Sequence, residues 1–293
     1  MTAENLLTAM LFVPGTAEDK FGNLLQIPAR SFILDLEDAV PPPEKASSRE
    51  RVAQLLDRLG DQTSLHVRVN PVDSPYLIDD LEAIVRPGLA GVDLPKVTSA
   101  TDLVAADALI TCFERRAGLP LGQIELMATI ETAEGVRNVY DIAAVGGRLR
   151  RLCFGAGDFT LDVGLDWPDD TGTTSATLLH AKIQLVLASR VAGLEPPHDS
   201  VYPLYKDVDG LRREAAESYR LGFVGKHAIH PCQLDAIGEA YRPSPRQVAR
   251  AHRLIEAFEQ AEAQGRGAVG VDGELVDYPI LYRARQVIAK AAT

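Results

Sequence analysis

The chain is poor in sulfur and has no redox or zinc-binding spacing. Its three cysteines, Cys112, Cys153 and Cys232, lie far apart and form no CxxC pair. That excludes a disulfide framework and a cysteine-ligated metal site, leaving ordinary reduced thiols. No apolar run approaches the roughly 18 residues needed to cross a bilayer, and mean hydropathy is near zero, so no membrane association is expected. The opening residues, MTAENLLTAM, lack a basic stretch, a long apolar core and a small-residue cleavage site. No secretory leader is expected, and a cytoplasmic protein is the default reading. Positive charge is also in deficit: 30 Lys and Arg stand against 41 Asp and Glu, a net charge of −11. Such a surface repels phosphate backbones and argues against general nucleic-acid binding, while leaving room for a local basic pocket for one anionic cofactor.

What is present is a repeating alternation. With 293 residues, 46% of them hydrophobic, the chain has enough apolar surface for one large α/β barrel or two smaller domains. Short apolar stretches read as strands at 10–13, 31–36, 65–69, 91–96, 124–130, 151–154 and 223–229, with a weaker one at 200–204. Helical spacing fills the intervals at 45–59, 102–118, 176–193 and 208–222, the last three ending at glycine as helices often do. Eight strand–helix alternations predict a closed (β/α)8 TIM-type barrel over residues 1–242. The rival is an open doubly wound sheet, but the Gly-rich dinucleotide turn is missing after the first strand. "FGAGDFTLD" offers two glycines and then an acid where phosphate would have to approach. Residues 243–293 read as an appendage: a helix entered at Ser-Pro, a hairpin around Asp272-Gly273, and a final helix.

The strand ends carry the charge. The segment "FILDLEDAVPPPEK" passes from an apolar strand into Asp35, Glu37 and Asp38 before a proline stop. Arg68 ends the third strand, Lys96 the fourth, Glu131 the fifth, and Asp158 follows the sixth. Active sites of such barrels form at these C-terminal ends. Each acid taken singly reads most simply as a helix cap or a solvated loop residue. Grouped on one rim, Glu37, Asp38, Glu131 and Asp158 suit a hard divalent cation such as Mg2+. Arg68 fits either a structural ion pair or a fork for a substrate carboxylate. Lys45 and Arg49 read as a solvated helix face, and His227 and His230 as structural.

Seven segments in one order extend this reading: "LFVPG", "ILDLEDAVPPPEKASSR", "VRVN", "LPK", "IETAEGV", "FGAGDFTLDVG" and "GKHAIHPCQL". Together they resemble the HpcH/HpaI aldolase and citrate lyase β-subunit family, near its malyl-CoA and citramalyl-CoA lyases. The resemblance implies a TIM-type barrel that makes or breaks a carbon–carbon bond beside a thioester, with Mg2+. It makes Glu131 and Asp158 the direct metal ligands and gives Arg68 the oxygen of the oxo-acid portion. Glu37 and Asp38 would stand behind the metal. The hairpin would act as a lid over a neighbouring subunit's site, with Asp277 moving the proton, in a trimer or hexamer. Ile229, His230 and Pro231 would support the nucleotide end of coenzyme A, mostly through their backbone. Two departures matter. "PGTAEDK" lacks an early basic residue, so Lys20, Lys45 and Arg49 become the candidates for the coenzyme A phosphates. "GAGD" also stands where many relatives have a second acid. A citramalyl-CoA substrate, giving acetyl-CoA and pyruvate, is the leading expectation, with malyl-CoA and glyoxylate beside it. The alternatives are the citryl-acyl-carrier β subunit of citrate lyase, a malyl-CoA thioesterase and a catalytically silent binding barrel.

Overall fold

Runs such as Phe32-Ile33-Leu34 are buried on both faces, as strands of a parallel sheet covered on both sides are. The computed structural model of the chain describes residues 8–17, 22–168 and 174–291. Eight strands, β1 (Ala9–Pro14), β2 (Ser31–Asp35), β3 (Ser64–Arg68), β4 (Leu89–Leu94), β5 (Glu125–Ile130), β6 (Leu149–Phe154), β7 (His198–Asp199) and β8 (Gly225–Ala228), close in sequence order. The seam pairs Ala9–Leu11 with Lys226–Ala228. The (β/α)8 barrel expected from the alternation is therefore the fold.

The helices between and after these strands are α1 (Lys45–Leu59), α2 (Leu77–Ile84), α3 (Ala100–Ala117), α4 (Ala133–Arg137), α5 (Val139–Ala143), α6 (Ala156–Val163), α7 (Ala176–Ala192), α8 (Val208–Leu221) and α9 (Leu234–Ala240). Their ends follow local chemistry. Ser99 and Asp102 form a reciprocal capping box at the start of α3, a motif that satisfies two otherwise unpaired N–H groups. Gly118, Gly193 and Gly222 close α3, α7 and α8 at positive φ, where a side chain would be strained.

The weak seventh strand corrects the sequence reading. It lies at His198–Asp199, not 200–204, and the chain leaves the sheet at Ser200, whose hydroxyl accepts from the Ala156 N–H. Two polar residues hide the strand from any apolar pattern. Their burial is offset by partners: Arg151 Nη1 lies 2.6 Å from His198 Nε2, while Asp199 Oδ2 accepts from Lys226 at 3.0 Å and from Lys182 at 3.1 Å. Pro203, with no N–H to give to a ladder, blocks a strand farther on.

Inside the barrel, Met10, Ile33, Met127 and Cys153 pack as an apolar plug with Phe12 on it. Each such side chain contributes about 1.5–3 kcal/mol on burial. The plug closes the interior and leaves the polar groups at the strands' C-terminal ends to form the mouth.

The chain divides into two compact units, one that ends at Gly238 and holds the barrel, and one that runs from Glu239 onward. The second unit holds α10 (Pro245–Glu262), an antiparallel hairpin of β9 (Val269–Val271) and β10 (Glu274–Val276), and α11 (Tyr278–Ala291). Asp272 and Gly273 take φ 51° and 84°, the pair of positive values that a two-residue hairpin turn requires. Leu254, Phe258, Val276 and Leu281 form its own core.

Candidate active site

The register of the sheet places Asp35 beside Arg68 and Arg68 beside Asp93 on three successive strands. Arg68 and Asp35 meet fork to fork, Nε to Oδ1 at 2.8 Å and Nη2 to Oδ2 at 2.7 Å. Asp35 also accepts from the N–H groups of Glu37 and Ala39. Burial opposes its charge, but Arg68 and those donors overcome it and hold the carboxyl below its ordinary range. The remaining Arg68 nitrogen, Nη1, stands 3.1 Å from Glu37 Oε2 and 3.9 Å from Asp38 Oδ2, and its guanidinium lies over the Phe12 ring at 4.8 Å. Fixed on both edges, Arg68 cannot swing.

Lys96 has φ 53°, a left-handed conformation that costs a non-glycine residue about 1–3 kcal/mol and tends to occur at functional sites. From it the backbone N–H donates to Glu131 Oε1 at 2.8 Å. The ammonium reaches Glu37 Oε1 at 2.5 Å, Asp158 Oδ2 at 3.4 Å and Asp38 Oδ1 at 3.5 Å. Those contacts raise its pKa against the cost of burial.

Glu131 is buried, whereas Asp158, in the first turn of α6, is about one-third exposed. The carboxylate of Glu131 fits because residue 155 is glycine: a Cβ there would lie 2.2 Å from Glu131 Oε2. Burial, then Glu37 and Asp158 nearby, push Glu131 up to about 8; burial pushes Glu37 up to about 7 against the pull of Arg68 and Lys96. Metal-free folded protein thus keeps protons that the unfolded chain releases near the ordinary glutamate value of 4.5. Its stability is expected to fall as pH rises from there through about 8. Denaturation midpoints in a chelator between about pH 5 and about pH 9 check this, and Glu131→Gln should flatten the slope.

A cavity of about 460 Å³ opens among these groups. Asp35, Asp38, Asp93, Glu131 and Asp158 line it together with Arg68, and Glu37 adjoins it through its contacts with Arg68 and Lys96. Six carboxylates thus confront two cationic side chains, Arg68 and Lys96. On the floor, Asp93 is fully buried, and Oδ1 accepts from the Thr129 hydroxyl at 2.7 Å. Burial raises Asp93 to about 6, against Thr129 and Arg68. His227, edge-on to Phe12, is held neutral by burial, at about 3.

The donor set fits a hard dication. No group of three His, Cys, Asp or Glu among the described residues is arranged to chelate an ion alone. Two carboxylates facing a cavity would instead leave the other coordination positions to water and substrate oxygens, which is how Mg2+ is usually held. The excess of acid over base at this rim supplies the charge such an ion needs.

Other expected site residues lie elsewhere. Lys45 is buried, and its ammonium donates to Leu36 O at 2.7 Å, Glu37 O at 2.8 Å and Asn70 Oδ1 at 2.7 Å. All three N–H bonds being spent inward corrects the reading of Lys45 as a phosphate grip or solvated residue. Arg49 likewise donates from Nε to buried Asp80 at 2.7 Å and pairs with Asp79 at 3.3 Å, so a phosphate would have to displace an ion pair. Lys20 lies outside the described residues. The N–H groups of Ile229 and His230 both donate to Gln233 Oε1, which takes the backbone donors that were expected to face coenzyme A. The His230 ring caps the 3-10 turn that begins at Pro231 and stacks on Tyr205. Ile229 lines the cavity. Asp277, in the second unit, caps α11 through the Ile280 N–H at 3.2 Å.

A closed parallel barrel with this charge gathered around a cavity at its mouth defines a barrel enzyme. The chain belongs to the HpcH/HpaI aldolase/citrate lyase family, whose model matches residues 8–231. It is 34% identical over 293 residues to the citrate lyase subunit beta of Leuconostoc mesenteroides subsp. cremoris, covering 99% of this chain and 95% of that one. It is 33% identical over 298 residues to the L-malyl-CoA/beta-methylmalyl-CoA lyase of Rhodobacter capsulatus, covering 96% and 93%. Among solved structures, CitE from Mycobacterium tuberculosis in complex with magnesium, acetoacetate and coenzyme A matches with TM-score 0.83 and 27% identity, covering 99% of this chain and all of that one.

Proposed function

We propose that the protein is a Mg2+-dependent carbon–carbon lyase that cleaves a 3-hydroxyacyl-CoA of the malyl-CoA or citramalyl-CoA type. The products are acetyl-CoA, or a related acyl-CoA, and a 2-oxo acid. One observation carries the reading: buried Glu131, set by the Lys96 N–H and given room by Gly155, shares with Asp158 a cavity that Arg68 also lines. The relatives' lyase names and the magnesium and coenzyme A bound by CitE support it.

Glu131 and Asp158 would hold Mg2+, which when bound supplies a fixed positive charge beside the oxygen that becomes the oxo acid's carbonyl. Arg68, immobilised by Asp35 and Glu37, would bind the carboxylate and align the hydroxyl-bearing carbon. The reaction is a retro-aldol cleavage. A base takes the hydroxyl proton, the bond between the 3-carbon and the 2-carbon breaks, and the electron pair moves onto the 2-carbon as a thioester enolate. A proton then returns to that carbon. Lys96 would keep Glu37, Asp38 and Asp158 from repelling one another while the site fills.

Residues 243–293 are read as a lid over a neighbouring subunit's site in a trimer or hexamer, separate from the catalytic barrel of 1–242, with Asp277 returning the proton. Asp277→Asn is then expected to reduce turnover by about 10²–10⁴-fold while coenzyme A affinity, measured by calorimetry, changes little. An equal loss in both would reduce the segment to a clamp.

The test of the whole reading is a panel of malyl-CoA, citramalyl-CoA and hydroxymethylglutaryl-CoA, with and without Mg2+, assayed for the acid released. A 2-oxo acid that appears only with Mg2+ is expected. Free hydroxy acid would make the protein a thioesterase. Activity confined to acyl-carrier thioesters would make it a citrate lyase β subunit.

A further inference from the structure

The floor of the cavity holds two buried polar atoms that no protein group satisfies. Asp93 is fully buried, and Thr129 satisfies only Oδ1; Oδ2 has no protein partner. His227 Nε2 is also buried without a partner. Both residues line the same cavity as Arg68, and Asp93 neighbours Arg68 across the β3–β4 ladder. An unmet buried acceptor costs about 1–3 kcal/mol, so a floor of this kind is ill-suited to a hydrogen or a methyl group.

We propose that this floor selects substrates whose oxo-acid portion carries a hydroxyl on the carbon next to the reacting one, so that cleavage releases a 3-hydroxy-2-oxo acid. This deepens the lyase reading above and rests on it. A hydroxyl both donates and accepts: placed between β4 and β8, which face each other across the closed barrel, it would give its hydrogen to Asp93 Oδ2 and accept from His227 Nε2 in the tautomer that carries the proton there. A carboxylate in that position would be repelled by Asp93. A methyl, as in a citramalyl-CoA substrate, would give neither atom a partner. Sites built around a substrate hydroxyl discriminate strongly against the analogue lacking it, because their own polar groups are stranded.

The experiment runs the reaction in the condensing direction. Acetyl-CoA, Mg2+ and one of glyoxylate, pyruvate, 2-oxobutyrate or 3-hydroxypyruvate are assayed for kcat/KM, and calorimetry of each oxo acid with the Mg2+-loaded protein gives Kd. The wild type is expected to favour 3-hydroxypyruvate over pyruvate by about tenfold or more in both measures. Asp93→Val, which removes the acceptor at similar volume, should bring that ratio to one or below. His227→Phe, which keeps a ring against Phe12, should lower the ratio too and carries the comparison if Asp93→Val does not fold. Equal or better use of pyruvate by the wild type would overturn the proposal, as would a loss in Asp93→Val that scales all four acids alike. Hydroxyl-selective binding without condensation would refute the lyase reading and leave the selective floor standing. Condensation without hydroxyl preference would do the reverse, and no binding of any oxo acid would defeat both.

Discussion

Asp158→Ala is expected to lower Mg2+-dependent cleavage by about a thousandfold or more, the scale of losing a preorganised electrostatic contact to a transition state. The fold should survive. Asp158 is about one-third exposed in the first turn of α6, and its contact within the site is a 3.4 Å approach from Lys96 that already has Glu37. Removing it leaves no buried charge stranded. It does leave Glu131 as the sole carboxylate of the pair, which is too little to hold a dication against water. Circular dichroism and the denaturation midpoint should match the wild type while turnover disappears. A variant that keeps near-normal Mg2+-dependent activity would remove the metal assignment. A variant that fails to fold would recast Asp158 as structural.

Lys45→Met is expected to destabilise the barrel unit by about 1–3 kcal/mol, the range for leaving a buried hydrogen-bonding group without its partner. The ammonium ties two carbonyls of the strand-to-helix segment, Leu36 and Glu37, to Asn70 beyond β3, and Asn70 in turn donates to Leu36 O at 3.0 Å and to Asp80 Oδ2 at 2.5 Å. Glu37 O and Asn70 Oδ1 lose this donor, Leu36 O keeps only the Asn70 amide, and methionine fills the volume without replacing the ammonium. Because Glu37 is one of them, coupling to function follows. Residual folded protein should show weaker Mg2+ dependence, since Glu37 would no longer hold Lys96 and Arg68 in register. Urea titrations monitored by fluorescence give the stability. A loss under about 1 kcal/mol, the scale of an exposed pair, would contradict the buried network and revive Lys45 as a phosphate contact.

Most of the barrel was legible because its strands are short apolar runs and its helices begin and end on residues whose chemistry is local, such as Ser99 and Gly118. β7 was not, because His198 and Asp199 carry no hydrophobic signal; only the partners Arg151, Lys182 and Lys226 make their burial tolerable. At the site, Glu37, Glu131, Asp158 and Arg68 could be picked out as charges at strand ends, and the structure gathers them at one mouth. Asp35 was visible as a charge but not as the clamp of Arg68. Strand alternation holds the clue, since Ile33 and Asp35 share a face of β2 and Ile33 lies in the barrel's plug. The same period links Gly91 and Asp93 on β4. Lys45 had a signal too: it stands seven residues before Val52 and fourteen before Leu59, on the buried face of α1. Lys96 was visible as the charge that ends the fourth strand, but its left-handed backbone was not, because a positive φ at a lysine is set by its surroundings and not by its own propensity.

Cleavage as proposed depends on Glu131 and Asp158 together holding one divalent ion at the mouth of the barrel. The most direct measurement is a crystal structure of the protein soaked with Mn2+ in place of Mg2+ and with pyruvate or 3-hydroxypyruvate, read by the ion's anomalous scattering. A single peak is expected at the mouth, within about 2.0–2.3 Å of one oxygen from each carboxylate, with the oxo acid's oxygens completing its shell and Arg68 against the acid's carboxylate. A mouth without a peak, Lys96 still bridging Glu37 and Asp158, and the ion bound elsewhere would contradict it.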